Sequence, residues 1–296
     1  MFATLSLIKL KYSIINKNLK EFSIIIMKKF WSILFLVVAS SILIFSAKQD
    51  ALAKLLWQKY HLPNTAILLN QSDADLAMLV GSYHFNGVIG GGEYNLDIAE
   101  KAYKKAVSIN PKILWGHYQL ARIYFVKGDY SYALKEVNKE LEANPENIRS
   151  LYVRGLIYGY REQVGDLDKS EADFWRFTEW APKEWAGYND LAWILSKKMK
   201  YLEAEKTINL AFKEISGSRN NPWLWNALGV AQLNLKKYSV ASDSFKKAKE
   251  LASKLTIEDW RRSYPGNDPK SYSEGLSAFI KAIEKNLKRS QAVDNS

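Results

Sequence analysis

NLDIAEKAYKKAVSINP (residues 95–111) and DLDKSEADFWRFTEWAP (166–182) align without a gap at an offset of 71. Leu96 meets Leu167, Tyr103 meets Phe174, and Pro111 meets Pro182. Between them lies DYSYALKEVNKELEANP (129–145), and KYLEAEKTINLAF (200–212) and KYSVASDSFKKA (237–248) follow. One small residue holds the same place in all five segments. It is Ala99, Ala133, Ser170, Ala204 and Ala241, spaced 34, 37, 34 and 37. A recurring period of this size marks a repeat array, because each unit needs a neighbour to bury its apolar face.

Before each segment stands a second apolar stretch with a small residue of its own. The pairs are Leu120-Ala121, Arg154-Gly155, Leu191-Ala192 and Leu228-Gly229, with Val80-Gly81 in a less regular first unit. Around them apolar residues recur at i, i+3, i+4 and i+7, the period of an amphipathic helix. Turn residues such as Gly128-Asp129-Tyr130 separate the two stretches, and Pro111, Pro145 and Pro182 end the second. The unit is a helix–turn–helix of about 34 residues, a known repeat length. It resembles the tetratricopeptide repeat (TPR).

Several positions carry that resemblance together. They are Leu120, Ala121, Tyr124, Gly128, Tyr130, Ala133 and Pro145 in the unit 114–147. In 222–253 they are Trp225, Leu228, Gly229, Tyr238, Ala241, Phe245 and Ala248. Val137 and Glu140 depart from the usual aromatic and small residue, and Phe177 is large where Ala is usual. Extra residues near 162–164 and 87–92 lengthen two turns. The resemblance implies an all-α, right-handed α-solenoid of five hairpins over 73–253. A loop over 254–270 and a capping helix over 271–289 are expected after it. In that helix Ser271 and Glu274 form a capping-box pattern, and Leu276, Phe279, Ile280 and Ile283 form one apolar stripe.

The N-terminus has a different character. FWSILFLVVASSILIFSA (30–47) is uncharged and follows Met27, Lys28 and Lys29. Eighteen helical residues span about 27 Å, close to the ~30 Å hydrocarbon core of a bilayer. We read it as a transmembrane signal anchor of bacterial type, with residues 1–29 cytoplasmic and 48–72 a linker with short helices. Translation starting at Met27 is an alternative. The run is longer than an ordinary signal h-region, and the nearest A-x-A triplet, Ala51-Leu52-Ala53, lies beyond two charges. Single-pass membrane localisation follows, with the repeats extracytoplasmic by the positive-inside tendency. Lys48, Lys54 and Lys59 on the far side oppose that orientation.

Charge supports the membrane reading. The net charge is +11, but residues 1–60 alone carry nine Lys against Glu21 and Asp50. The body is nearly balanced, which points away from nucleic acid; Trp260-Arg261-Arg262 is one basic–aromatic cluster only. With no Cys there is no disulfide, thiolate metal site, thiol nucleophile or lipoprotein anchor.

Little suggests chemistry. His61, His84 and His117 lack a second ligand at i+4, and Gly90-Gly91-Gly92 is not followed by GKS or GKT. Glu203 and Glu205 read as solvated helix charges. We therefore expect no catalysis, cofactor, metal or small-molecule substrate.

The family resemblance implies a binding scaffold with a concave groove lined by the first helix of each hairpin. Its register selects Trp115, Tyr118, Arg122 and Phe125, then Arg149, Tyr152 and Leu156, then Asn189 and Trp193, then Trp223, Asn226 and Val230. Asn189 and Asn226 share one repeat position and can pair with a peptide backbone. Tyr118 and Tyr152 stand where a carboxylate clamp wants Lys or Asn, so chaperone C-termini are not the implied ligand. A membrane-anchored scaffold in a cell-envelope complex is the reading. Its alternatives are a non-catalytic accessory subunit of an envelope enzyme such as a glycosyltransferase, or a secreted repeat protein after signal cleavage.

Overall fold

The computed structural model describes residues 2–86, 92–263 and 271–294, in two units, Met1–Asp73 and Ala74–Ser296. The first unit holds α1 (Phe2–Tyr60) and α2 (Pro63–Leu69). The expected break after residue 47 is not there; α1 runs on to Tyr60. Residues 48–60, KQDALAKLLWQKY, are mostly strong helix formers without Gly or Pro, so nothing stops the helix. It ends where His61 turns to positive φ, two residues before Pro63. Asp50 then accepts the backbone N–H groups of Gln71 (2.5 Å) and Ser72 (3.2 Å) and the Ser72 hydroxyl, and Ala53, Trp57 and Ala66 are buried within the unit. Around Trp31 and Phe35 the apolar side chains are exposed on every face of α1. By length and composition this helix can cross a membrane, a property it shares with signal sequences.

The second unit is an all-helical TPR-like array. Five hairpins pair α3 (Ala74–Asn86) with α4 (Leu96–Ile109), α5 (Gly116–Val126) with α6 (Tyr130–Ala143), and α7 (Ile148–Arg161) with α8 (Asp166–Trp180). The last two pair α9 (Trp185–Lys197) with α10 (Tyr201–Glu214), and α11 (Pro222–Asn234) with α12 (Tyr238–Ala252). No strand occurs among the described residues.

Packing inside the hairpins follows a size rule. Four residues after each marker of the second helix stand Tyr103, Val137, Phe174, Ile208 and Phe245. Opposite them on the first helix stand Gly81, Ala121, Gly155, Ala192 and Gly229. Every aromatic meets a Gly, and Val and Ile meet Ala. A Cβ at Gly81, Gly155 or Gly229 would stand 2.6, 3.0 or 2.7 Å from the ring of Tyr103, Phe174 or Phe245. Val137 is thus a complementary pair with Ala121 in one core cluster. Phe177 is matched the same way: Gly187 gives it room, since a Cβ there would lie 2.5 Å from its ring.

Glu140, the other departure, has a separate task. The first residues of α5 have no side-chain cap of their own, because Trp115 sits at the N-cap with φ 71°. The Glu140 carboxylate accepts the N–H groups of Trp115 (3.2 Å) and Tyr118 (3.1 Å) and holds the Asn144 and Asn147 amides. Orphan donors of a helix start are satisfied by the neighbouring helix.

Two insertions of three residues set the 37-residue spacings. One lengthens the α7–α8 turn, where Arg161 forks onto Asp166 with two bonds of 2.8 Å and the Gln163 N–H adds a third at 3.0 Å. The other is a single 3-10 turn, Ser218–Asn220, between α10 and α11, pinned by the Trp225 indole on the Arg219 carbonyl (2.8 Å).

After the array come α13 (Ile257–Ser263) and α14 (Ser271–Asp294). The segment 254–270, expected as loop, therefore contains a short helix, whose buried Trp260 fits against Gly275. Ile283, Phe279, Ile280 and Leu287 of α14 pack on Ala241, Phe245, Ala248 and Ala252 of α12. Leu287 replaces Leu276 in the expected stripe, because the helix continues to 294 and the contact is shifted toward its end. The Ser271 side chain, the YPGNDP segment (264–269) and Gly90-Gly91 lie outside the described residues.

Candidate functional site

A cavity of about 630 Å³ runs along the first helices of successive hairpins. The helical period puts the residues three before and one after each small residue on this face: Tyr152 and Leu156 of α7, Asn189 and Trp193 of α9, Asn226 and Val230 of α11. Phe125 of α5 and Trp223 of α11 complete the predicted set that borders it. Four selected residues do not border it. Arg149 is exposed in the first turn of α7. Trp115 lines a separate shallow cavity with Asn144 and Pro145. Arg122 lies over the rings of Phe85 (4.6 Å) and Tyr118 (5.6 Å), and Tyr118 packs on Trp115 (5.2 Å). Tyr118 and Arg122 pack on the core of the first two hairpins.

Aromatic rings form the walls. Phe125, Tyr160 and Trp193 follow one another at 5.4 and 5.0 Å. On the other side Trp223 stacks on Trp185 (5.2 Å) and on Phe279 of α14 (5.6 Å). Such rings offer apolar area at low entropic cost.

Polar groups converge at the base. Asp190 accepts the Tyr152 hydroxyl (2.5 Å) and the Asn189 amide (2.9 Å). Removal from water pushes its carboxyl up to about 6, against those two stabilising bonds. Desolvation and then the Asp190 charge push the Tyr152 phenol well above its ordinary value. One N–H of the Asn189 amide is engaged by Asp190. Asn226 differs: its Oδ1 is buried with no hydrogen-bond partner.

Register alone did not single out Asp190, Tyr160, Trp185, Trp260 or Phe279. For Asp190 a signal existed. Its repeat position holds Leu79, Gln119, Val153 and Ala227 elsewhere, so an acid there stands out among mostly apolar residues. Trp260 and Phe279 lie beyond the repeats, where no register reaches.

The histidines have structural partners. His84 donates Nδ1–H to the Glu93 carbonyl (2.9 Å), and His117 Nδ1 pairs with Glu136 (2.6 Å) inside the second hairpin. Among the described residues no three His, Cys, Asp or Glu side chains form a metal-holding group.

Comparison with known proteins agrees with the fold. A family model described as tetratricopeptide repeat matches residues 224–255, the α11–α12 hairpin. BBSome complex member BBS4 of Bos taurus is 26% identical over 203 residues, covering 68% of this chain and 36% of that protein. The chain thus spans about a third of that curated relative's length. The crystal structure of MamA protein superposes with a TM-score of 0.51 at 16% identity, covering 64% of this chain and 94% of that one. The structure of YrrB, a TPR protein with an unusual peptide-binding site, gives 0.49 at 19% identity, covering 65% and 93%. With five stacked hairpins, one of them matched by the family model, the chain has an all-helical fold of the tetratricopeptide-repeat type.

Proposed function

We propose that the chain is a membrane-anchored scaffold that holds an extended peptide segment of a partner protein in the aromatic cavity. One observation carries this reading: eight residues selected by repeat register border a single cavity that also holds a buried, unpartnered acceptor, Asn226 Oδ1. A peptide backbone presents N–H groups that need such acceptors once desolvated. The mammalian relative is named as a member of a protein complex, which is in keeping with a scaffold. No catalytic step is part of this reading.

Replacing Asn189 and Asn226 with Ala weakens a captured partner by about 1–3 kcal/mol while the array stays folded. Most of the loss comes from Asn226, because the Asn189 amide is already engaged. A double variant that binds as well as the parent moves recognition away from this cavity.

Anchoring rests on α1, with Lys28 and Lys29 before its uncharged run. In the proposed topology the hairpins lie outside the cytoplasm, in a cell-envelope complex. Protease added to intact spheroplasts should degrade the hairpins. Protection contradicts the orientation, and release of the array into the medium contradicts an uncleaved anchor.

A further inference from the structure

The cavity has a one-sided chemistry. Among the described residues that border it, Asp190 is the only one that carries a charge. Its two hydrogen-bond donors, the Tyr152 hydroxyl and the Asn189 amide, are neutral. Asn226 Oδ1 adds a second acceptor, unpartnered and buried. Trp185, Trp193 and Trp223 line the same cavity. Acceptors at the base and an electron-rich aromatic wall are complementary to a cation that carries N–H donors and an apolar stem.

The rim already shows that attraction. The Lys197 ammonium lies 4.4 Å from the Trp193 ring centroid, held there by the Gly159 carbonyl (3.0 Å) and by Glu162. That lysine is tied to the α7–α8 turn and does not border the cavity. Among the described residues no cation meets the Asp190 carboxylate, whose hydrogen-bond partners are Tyr152 and Asn189.

We propose that the cavity receives a Lys or Arg side chain of the bound peptide, its cation meeting the Asp190 carboxylate and Asn226 Oδ1 and its stem lying along the aromatic wall. This rests on the peptide-groove reading and adds the chemistry of the segment: it is basic. A cation brought within a few ångströms of a desolvated carboxylate favours the ionised form, so binding and ionisation are linked. The groups bonded to Asp190 are Tyr152 of α7 and Asn189 of α9 itself, and the other described residues that line the cavity from α7, α9 and α11 carry no charge. With the free carboxyl at about 6, affinity for the cation rises with pH through that value and levels off above it.

The test uses the full chain in mild detergent and two blocked pentapeptides, acetyl-AAKAA-amide and its norleucine counterpart, followed by tryptophan fluorescence. At pH 7.5 the lysine peptide should bind at least about tenfold tighter, and between pH 7.5 and 5 its affinity should fall about tenfold while the norleucine peptide's does not. Asp190→Asn should abolish the preference, with thermal unfolding reporting that the array is intact; the pH series on the parent needs no variant. Equal binding of the two peptides overturns the cation reading and leaves the groove standing. Absence of binding by either overturns both. A preference that survives Asp190→Asn assigns the cation to another site, and choline binding as tightly as the lysine peptide means a small cation, not a side chain, is the ligand; each contradicts the proposal.

Discussion

Residue sizes across each hairpin are matched in pairs, and that matching is testable. Gly229→Ala places a methyl group 2.7 Å from Phe245 and should cost about 1–3 kcal/mol by overpacking. Adding Phe245→Ile recreates the Ala192–Ile208 pair of the preceding hairpin. The double variant should unfold at a higher temperature than the sum of the singles implies, with a coupling of about 1 kcal/mol or more in denaturant melts. Additivity would mean the two sites do not share one void. Asp190 gives a second prediction at this scale. Its carboxyl is raised from 3.8 to about 6, so the native state holds a proton that the unfolded chain has released between those values. Its contribution is therefore most favourable below about pH 4 and is lost as pH rises to 6. Asp190→Asn should be more stable than the parent at pH 8, by on the order of 1–3 kcal/mol, and equal or less stable at pH 4. A uniform loss at both pH values would show that the Tyr152 bond, not desolvation, dominates.

Elements are joined by buried ion pairs and borrowed caps at the places where the repeat departs from its pattern. The Asp166 side chain is 1% exposed, and the Arg161 fork holds its carboxyl below the ordinary value. Arg161→Ala strands that charge and should cost about 3–5 kcal/mol near neutral pH, the penalty diminishing as pH falls far enough to protonate Asp166. Glu140→Ala should lower the melting temperature by uncapping α5, a loss of about 1–3 kcal/mol, with faster amide exchange at Trp115 and Tyr118 than elsewhere in that helix. The hairpins themselves were readable from sequence because the small residues Ala99 to Ala241 recur at a fixed period. The tasks of Glu140 and Asp166 were not, since both depend on which helix end lies beside them in space. Register groups Tyr152, Asn189 and Asn226, which border one cavity; Trp115, Tyr118, Arg122 and Arg149, selected by the same register, do not border it, because core packing or a helix start engages those positions. The change of composition at Lys48 reads as a helix end, but residues 48–60 contain no Gly or Pro to break α1, and Ile257–Ser263 likewise has neither, so both helices run where the sequence suggests a linker or loop.

At the scale of the molecule, ion pairs repeat along the array as the helices do. Lys127 reaches Glu100, Lys198 and Lys200 reach Glu171, and Lys237 reaches Glu205, each from one hairpin's turn to the second helix of the hairpin before. Each of these pairs joins a partly covered carboxylate to a lysine near the surface, which aligns neighbouring hairpins. Hairpin stacking sets the separation of Trp193 and Trp223, and with it the walls of the cavity. The central claim is that this cavity, and no other face of the array, holds the partner. It is tested most directly by photocrosslinking in intact membranes, with benzoylphenylalanine placed at Trp223 inside the cavity or at Tyr132, exposed on α6 outside it. The account predicts a discrete protein adduct from position 223 that is lost in the Asn189→Ala, Asn226→Ala background, and none from 132. An adduct from 132 alone, or one from 223 that survives loss of both asparagines, would contradict it.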